Sequence, residues 1–176
     1  MSAYLLLEDG TRFDGDAAGA PLAATGEVVF NTAMSGYQES VSDPSYRGQV
    51  IVFTYPLIGN YGVCAENMES DSIHARAVVM REGIDREDAP HAEGGWLTWL
   101  ADCGVPAICG VDTRALVRHI RDRGAMRGGV FPGEMPESEA REVSAVPMVF
   151  LNGEPFGQGP MDLARIMAML DIGASA

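Results

Sequence analysis

Up to about residue 90, apolar residues come in short runs broken by Gly, Pro, Asn and Asp, the pattern of strands joined by turns. Ala3–Glu8 predicts the first strand, and Asp9-Gly10 supplies two residues that tolerate the positive φ of a tight hairpin turn. Thr11–Phe13 is then the returning partner. Gly26–Met34 and Gly48–Tyr55 are apolar enough to be strands buried on both faces, and Ser72–Arg81, rich in β-branched and apolar residues, predicts a fourth.

From Glu93 the period changes. Trp96, Leu97, Leu100 and Cys103 recur at three- and four-residue spacing before Gly104 and Pro106, which predicts a short amphipathic helix. Pro106–Val111 reads as a strand. Asp112 or Thr113 then caps a second helix with an inner stripe of Leu116, Val117 and Ile120, arginines in its last turn and Gly124 to end it. Ala125–Phe131 returns as a strand, Glu137–Val146 reads as a short helix, and Asn152–Pro160 as a Gly/Pro-rich connector. Met161–Leu170 places Leu163, Ile166, Met167 and Leu170 on one helical stripe. The expectation is an α/β fold with a strand-rich first half: one domain over residues 1–150, then a connector and short C-terminal helix over 151–176.

Charge narrows the function classes. Against 25 Asp and Glu stand 12 arginines and no lysine, a net charge of −13, where a nucleic-acid binder normally carries a basic face. No run approaches the roughly 18 to 20 apolar residues of a membrane span. The start, Met1-Ser2-Ala3-Tyr4, lacks the basic region and apolar core of a signal peptide. The expected location is the cytoplasm, with neither nucleic acid nor membrane as partner.

The candidate chemistry is thin. Cys64, Cys103 and Cys109 match no zinc or redox spacing and read as free buried thiols. Cys109 sits between a strand and a helix, where an α/β nucleophile would sit, but Ala107 and Val111 occupy the positions where a nucleophile elbow needs glycine. His91-Ala92-Glu93 could offer a base and a carboxylate, yet it falls in a polar stretch with nothing to fix its geometry. No Gly-x-Gly-x-x-Gly or Gly-Lys-Ser/Thr motif points to phosphate binding, and Glu66, Glu69 and Asp71 read as a solvated acidic loop. The reading is therefore no catalytic residue, no metal site and no cofactor in this chain.

Two features carry more. Arg114, Arg118, Arg121, Arg123 and Arg127 concentrate positive charge in an acidic protein, readable as a solvated helix face or as a docking surface for an acidic partner. Three polar clusters, Asn31–Glu39, Asp43–Tyr46 and Thr54–Gly62, alternate with two buried strands. That order would gather their hydroxyl, amide and phenol groups at one sheet end as a rim able to bind a polar ligand or a partner, unless they are ordinary turns.

Those clusters and the strands between them closely resemble the N-terminal domain of the small subunit of glutamine-dependent carbamoyl phosphate synthetase. The carrying motifs are LLLEDGTRFDG (Leu5–Gly15), GEVVFNTAMSGYQESVSDPSY (Gly26–Tyr46), TYPLIGNYGV (Thr54–Val63) and GVDTRALVRHIRDRGAMRGGV (Gly110–Val130), in the family's order. The resemblance implies a layered β/β/α domain of the swivelling type. It also implies part of an ATP-dependent ligase that makes carbamoyl phosphate from glutamine, bicarbonate and ATP for arginine and pyrimidine synthesis.

In such proteins the small subunit hydrolyses glutamine and passes ammonia through a tunnel to the large subunit. The expected partners are thus the large subunit and, where the chain is longer, a glutamine amidotransferase domain. By the same resemblance Ser45, in Asp-Pro-Ser-Tyr, contributes to the glutamine site; the charge concentration, independently, makes Arg114, Arg118 and Arg121 the partner-interface candidates. The amidotransferase motifs are missing from these 176 residues, so the chain alone is expected to be inactive. A second reading, motivated by the stripe at Leu163–Leu170, is a native stand-alone binding module whose terminal helix covers apolar surface.

Overall fold

Single-residue alternation decides the architecture. In the computed structural model, which describes residues 1–145, 150–151 and 154–155, alternate side chains of the same strands enter different cores. The first unit, Met1–Ser144, begins with β1 (Ser2–Leu7), β2 (Arg12–Gly19) and β3 (Ala24–Asn31). Helix α1 (Tyr37–Ser42) and a 3₁₀ turn (Pro44–Tyr46) lead into β4 (Gln49–Phe53). Then come β5 (Leu57–Ile58), a second 3₁₀ turn (Ala65–Asn67), β6 (Ala77–Val79) and β7 (Glu82–Gly83). The unit continues with α2 (Trp96–Asp102), β8 (Pro106–Cys109), α3 (Thr113–Arg123), β9 (Met126–Pro132) and α4 (Glu137–Ala145).

Seven strands close into a barrel in the order β1-β2-β8-β6-β4-β3-β9, with β3, β4, β6 and β8 parallel to their neighbours in that run and β9, β1 and β2 joined by antiparallel ladders. Leu5, Leu7, Val28, Val50, Val52, Val79 and Ile108 fill one core, which Leu116 and Ile120 of α3 join. The intervening Ile51, Phe53, Val78 and Met80 pack instead with α1 and α2 through Tyr37, Val41, Trp96 and Leu100. On β1 the even positions, Tyr4 and Leu6, meet Phe131 and Ala140 of α4. Each fully buried side chain of this kind stabilises by about 1.5–3 kcal/mol. In the second unit, Ala145–Ala176, β10 (Phe150–Leu151) pairs antiparallel with β11 (Glu154–Pro155), and β11 falls inside the Asn152–Pro160 stretch read as a connector.

Several boundaries differ from the sequence reading. The return strand of the first hairpin runs to Gly19 rather than ending at Phe13, because β2 is laddered to β1 on one side and β8 on the other. Gly15 makes this feasible: a Cβ there would collide with the Cys109 carbonyl. Only Ala77–Val79 of Ser72–Arg81 is strand, since the His74 and Ala75 N–H groups bond to the Val41 carbonyl instead of a ladder. The end of the polar cluster Asn31–Glu39 is helical rather than a turn, since α1 starts at Tyr37, with Tyr37 and Val41 one turn apart on its buried face. Asp112 is the cap of α3, its Oδ1 accepting from Ala115 N at 3.0 Å. Of the three thiols read as buried, Cys103 is exposed at the end of α2 and Cys64 and Cys109 are half-buried. The helix expected at Met161–Leu170 lies outside the described residues. Among the described residues no helix is long and apolar enough to cross a membrane.

Candidate functional site

Parallel pairing of β3 with β4 sets Asn31 opposite Phe53, so the loops that leave both strands start from one edge of the barrel. Asn31 is the first pin. Its Nδ2 donates to Ser40 Oγ at 2.9 Å and Tyr46 Oη at 3.3 Å, its Oδ1 accepts from Ala33 N at 2.8 Å, and its backbone carbonyl accepts from Thr54 N at 3.0 Å. One side chain thereby ties the first polar cluster to the second, and its backbone ties it to the third.

Two tyrosines make the second pin. The rings of Tyr37 and Tyr61 stack with centroids 4.2 Å apart. Tyr37 Oη donates to the Gly62 carbonyl at 2.6 Å, while Tyr61 Oη accepts from Gly36 N at 2.7 Å. Burial is the main cause pushing both phenols above their ordinary range, with the nearby Glu39 carboxylate acting in the same direction. Both therefore stay neutral and able to donate. Gly36, at φ 82°, occupies the left-handed region that starts α1. Glu39 Oε2 is buried without a hydrogen-bond partner among the described residues.

Ser45 lies on the 3₁₀ turn that follows α1. Asp43 caps that turn, its Oδ1 accepting from Ser45 N at 2.8 Å, and Pro44 holds the first position. The Ser45 backbone N–H first, and its hydroxyl second, hold the Asp43 carboxyl below its ordinary range. Ser45 itself is exposed, on a turn fixed by Asp43 and Pro44. The three clusters thus converge through Asn31, Tyr46 and Tyr61. What the sequence reading missed was the linking geometry of Tyr37, Tyr61 and Glu39, whose only signal was the four-residue spacing of Tyr37 and Val41.

The arginines occupy a separate surface. Arg114, Arg118 and Arg121 recur at four and three residues along α3, opposite the buried Leu116 and Ile120. All three are exposed, and among the described residues none of them makes an ion pair. The helix is tethered at His119, whose Nε2 lies 2.7 Å from Asp9 Oδ2 in the first hairpin turn. The Thr11 N–H above all, then the Thr11 hydroxyl and His119, lower the Asp9 carboxyl from 3.8 to about 2. A folded value below the unfolded one means that this stabilisation is complete above about pH 4 and is lost as pH falls toward 2. The stability gap between the protein and its Asp9→Ala variant, measured by urea unfolding, is therefore expected to close across that window; a gap that is constant with pH would contradict the tether.

Other candidates resolve into structure. Burial, chiefly, pushes the Cys109 thiol up to about 11, which leaves too little thiolate for a nucleophile at neutral pH. His91 adopts φ 67° on an exposed loop, and Glu93 Oε2 accepts from Ala65 N at 2.8 Å, a loop-pinning bond. Among the described residues, no three His, Cys, Asp or Glu side chains converge as metal ligands.

Comparison with known proteins covers both surfaces. A family model described as the carbamoyl-phosphate synthase small chain, CPSase domain, matches residues 5–130. A carbamoyl phosphate synthase small chain of Symbiobacterium thermophilum is 56% identical over 122 residues, 69% of this chain and 34% of that one. The corresponding protein of Polynucleobacter necessarius is 43% identical over 165 residues, 94% of this chain and 41% of its own. The multifunctional protein pyr1-3 of Dictyostelium discoideum is 43% identical over 146 residues, 77% of this chain and 7% of its own. The chain therefore spans between a third and about two-fifths of the small chains it matches here.

Proposed function

The chain belongs to the carbamoyl-phosphate synthase small-chain family, and on that premise we propose that it serves as the N-terminal domain of the small subunit of the glutamine-dependent, cytoplasmic enzyme. In this reading it works within a ligase that makes carbamoyl phosphate from glutamine, bicarbonate and ATP for arginine and pyrimidine synthesis. The domain docks the large subunit and borders the glutamine site, while the 176 residues alone do not hydrolyse glutamine. The observation that carries the reading is the unbroken family match over residues 5–130, which runs through the rim, Ser45 and the arginine face. We read the closed sheet with its outer helices as the layered β/β/α arrangement of the swivelling type.

The parts take distinct roles. Ser45 faces the edge where an amidotransferase domain would sit, and its hydroxyl can donate to and accept from a zwitterionic amide substrate. Arg114, Arg118 and Arg121 offer unpaired guanidiniums to acidic groups on the large subunit.

The test is binding of the purified chain to the large subunit of carbamoyl phosphate synthase, with ammonia release from glutamine measured alongside. Complex formation without ammonia release is expected, and Arg118→Glu combined with Arg121→Glu should weaken the complex by about tenfold, the effect of two reversed charge pairs. Unchanged affinity would remove the arginine face from the interface. Failure of the unaltered chain to bind, or ammonia release by it, would overturn the reading.

A further inference from the structure

A groove of about 670 Å³ opens between residues 63–73, residues 87–95 and α2, with no residue of α3 in its walls. Its floor includes the part-buried Ile73 and Trp99, the latter stacked on Trp96 with centroids 5.6 Å apart. Its rim carries Asp71, Glu87, Glu93 and Asp102, all exposed, and neither arginine nor histidine lines it. Among the described residues only Glu93 of these four has a hydrogen bond to its side chain, from Ala65 N, and none has an ion pair.

The walls are built before anything binds. Val63 N donates to the Gly94 carbonyl at 3.0 Å and Glu93 N to the Val63 carbonyl at 2.7 Å, lashing the two loops together. Gln38 holds Cys64 through both ends of its amide, at 2.8 and 3.0 Å. Asp85 caps α2, accepting from Leu97 N at 2.6 Å and from the Thr98 hydroxyl at 2.9 Å. A groove that does not have to order itself loses little entropy when occupied.

We propose that this groove seats a basic amphipathic segment of a partner protein, with arginine or lysine side chains on the carboxylate rim and a large apolar side chain on Trp99 and Ile73. Charge decides the occupant. Unpaired carboxylates around an aromatic floor are complementary to cations that carry apolar surface with them, and Arg also stacks on indole. A metal ion does not fit, because the carboxylates do not converge as a ligand set. Residues 146–176 of the chain itself contain one arginine against Glu154, Asp162 and Asp171, so they do not complement the rim. A second copy brings a net charge of −13 toward another −13. This groove goes beyond the docking role of α3 and does not depend on which protein α3 meets.

The test uses the full chain and a short synthetic peptide alternating arginine with leucine, against a counterpart alternating glutamate with leucine. NMR amide shifts and tryptophan fluorescence report where each binds. The arginine peptide should shift residues 63–73 and α2, with an affinity that falls as salt rises. Glu87→Arg combined with Asp102→Arg, two exposed positions without partners, should weaken it by about tenfold, while Arg118→Glu with Arg121→Glu should not. Equal binding of both peptides, no binding, shifts confined to other surfaces, or unchanged affinity in the groove variant would each overturn the proposal. So would shifts at the same residues on concentrating the chain alone, which would give the groove to a second copy.

Discussion

Trp96→Ala is expected to lower the stability of the domain by about 3–5 kcal/mol, the range for removing a fully buried aromatic side chain. Trp96 is 0% exposed and is the largest of the fully buried side chains. Its ring meets Tyr37 at 4.7 Å, Phe53 at 6.3 Å and Trp99 at 5.6 Å between centroids, and its Nε1–H donates to Met80 Sδ at 3.2 Å. Deletion leaves a cavity between β4, α1 and α2, and those elements are too well fixed by their own ladders and caps to collapse into it. Since small domains are stable by about 5–15 kcal/mol in total, a large share would be gone. Urea unfolding would show the loss as a lower midpoint at unchanged slope. A loss under about 1 kcal/mol would mean that the aromatic cluster is not a packed core.

Asn31→Ala should cost about 2 kcal/mol, and its effect should concentrate at the rim. Three hydrogen bonds end at the Asn31 amide, and its removal leaves Ser40, Tyr46 and the Ala33 N–H to find other partners. Amide exchange over residues 32–46 should accelerate more than exchange in β1 or β9, which share no hydrogen bond with Asn31. Asn31→Asp is a sharper probe: it keeps the acceptor for Ala33 N but loses the donor to Ser40 and Tyr46. If the rim is one connected unit, both variants loosen Tyr46 and the turn that carries Ser45. Uniform acceleration across the whole barrel would show instead that Asn31 supports global stability only.

Long apolar runs and helix punctuation were legible in the sequence. Leu5–Leu7, Val50–Phe53 and the α3 stripe appear where the pattern puts them, because burial on both faces or on one helical stripe needs that spacing whatever the surroundings. The extension of β2 through Asp14, Gly15 and Asp16 was not legible. Local propensity there favours a turn, and only the ladders to β1 and β8 outweigh it. Helix α1 was masked by its polar surface; Gln38 and Ser42 are buried because their side chains bond to Cys64 and to the helix backbone. The rim could be read as a set of residue types, but Tyr37 reaches Tyr61 across 24 positions, a pairing that no local pattern encodes.

Closure of the main sheet also limits how another chain could attach to the domain. Each of its seven strands has a neighbour on both sides, so no row of backbone donors and acceptors is left open for another chain to extend. Recruitment by strand addition, which gives affinity through main-chain bonds with little regard for side chains, is thereby closed to the barrel. Association with the barrel must run through side chains on the helices and loops around it. Such contacts can be tuned residue by residue and weakened by salt, and closure itself leaves the barrel resistant to edge-to-edge aggregation.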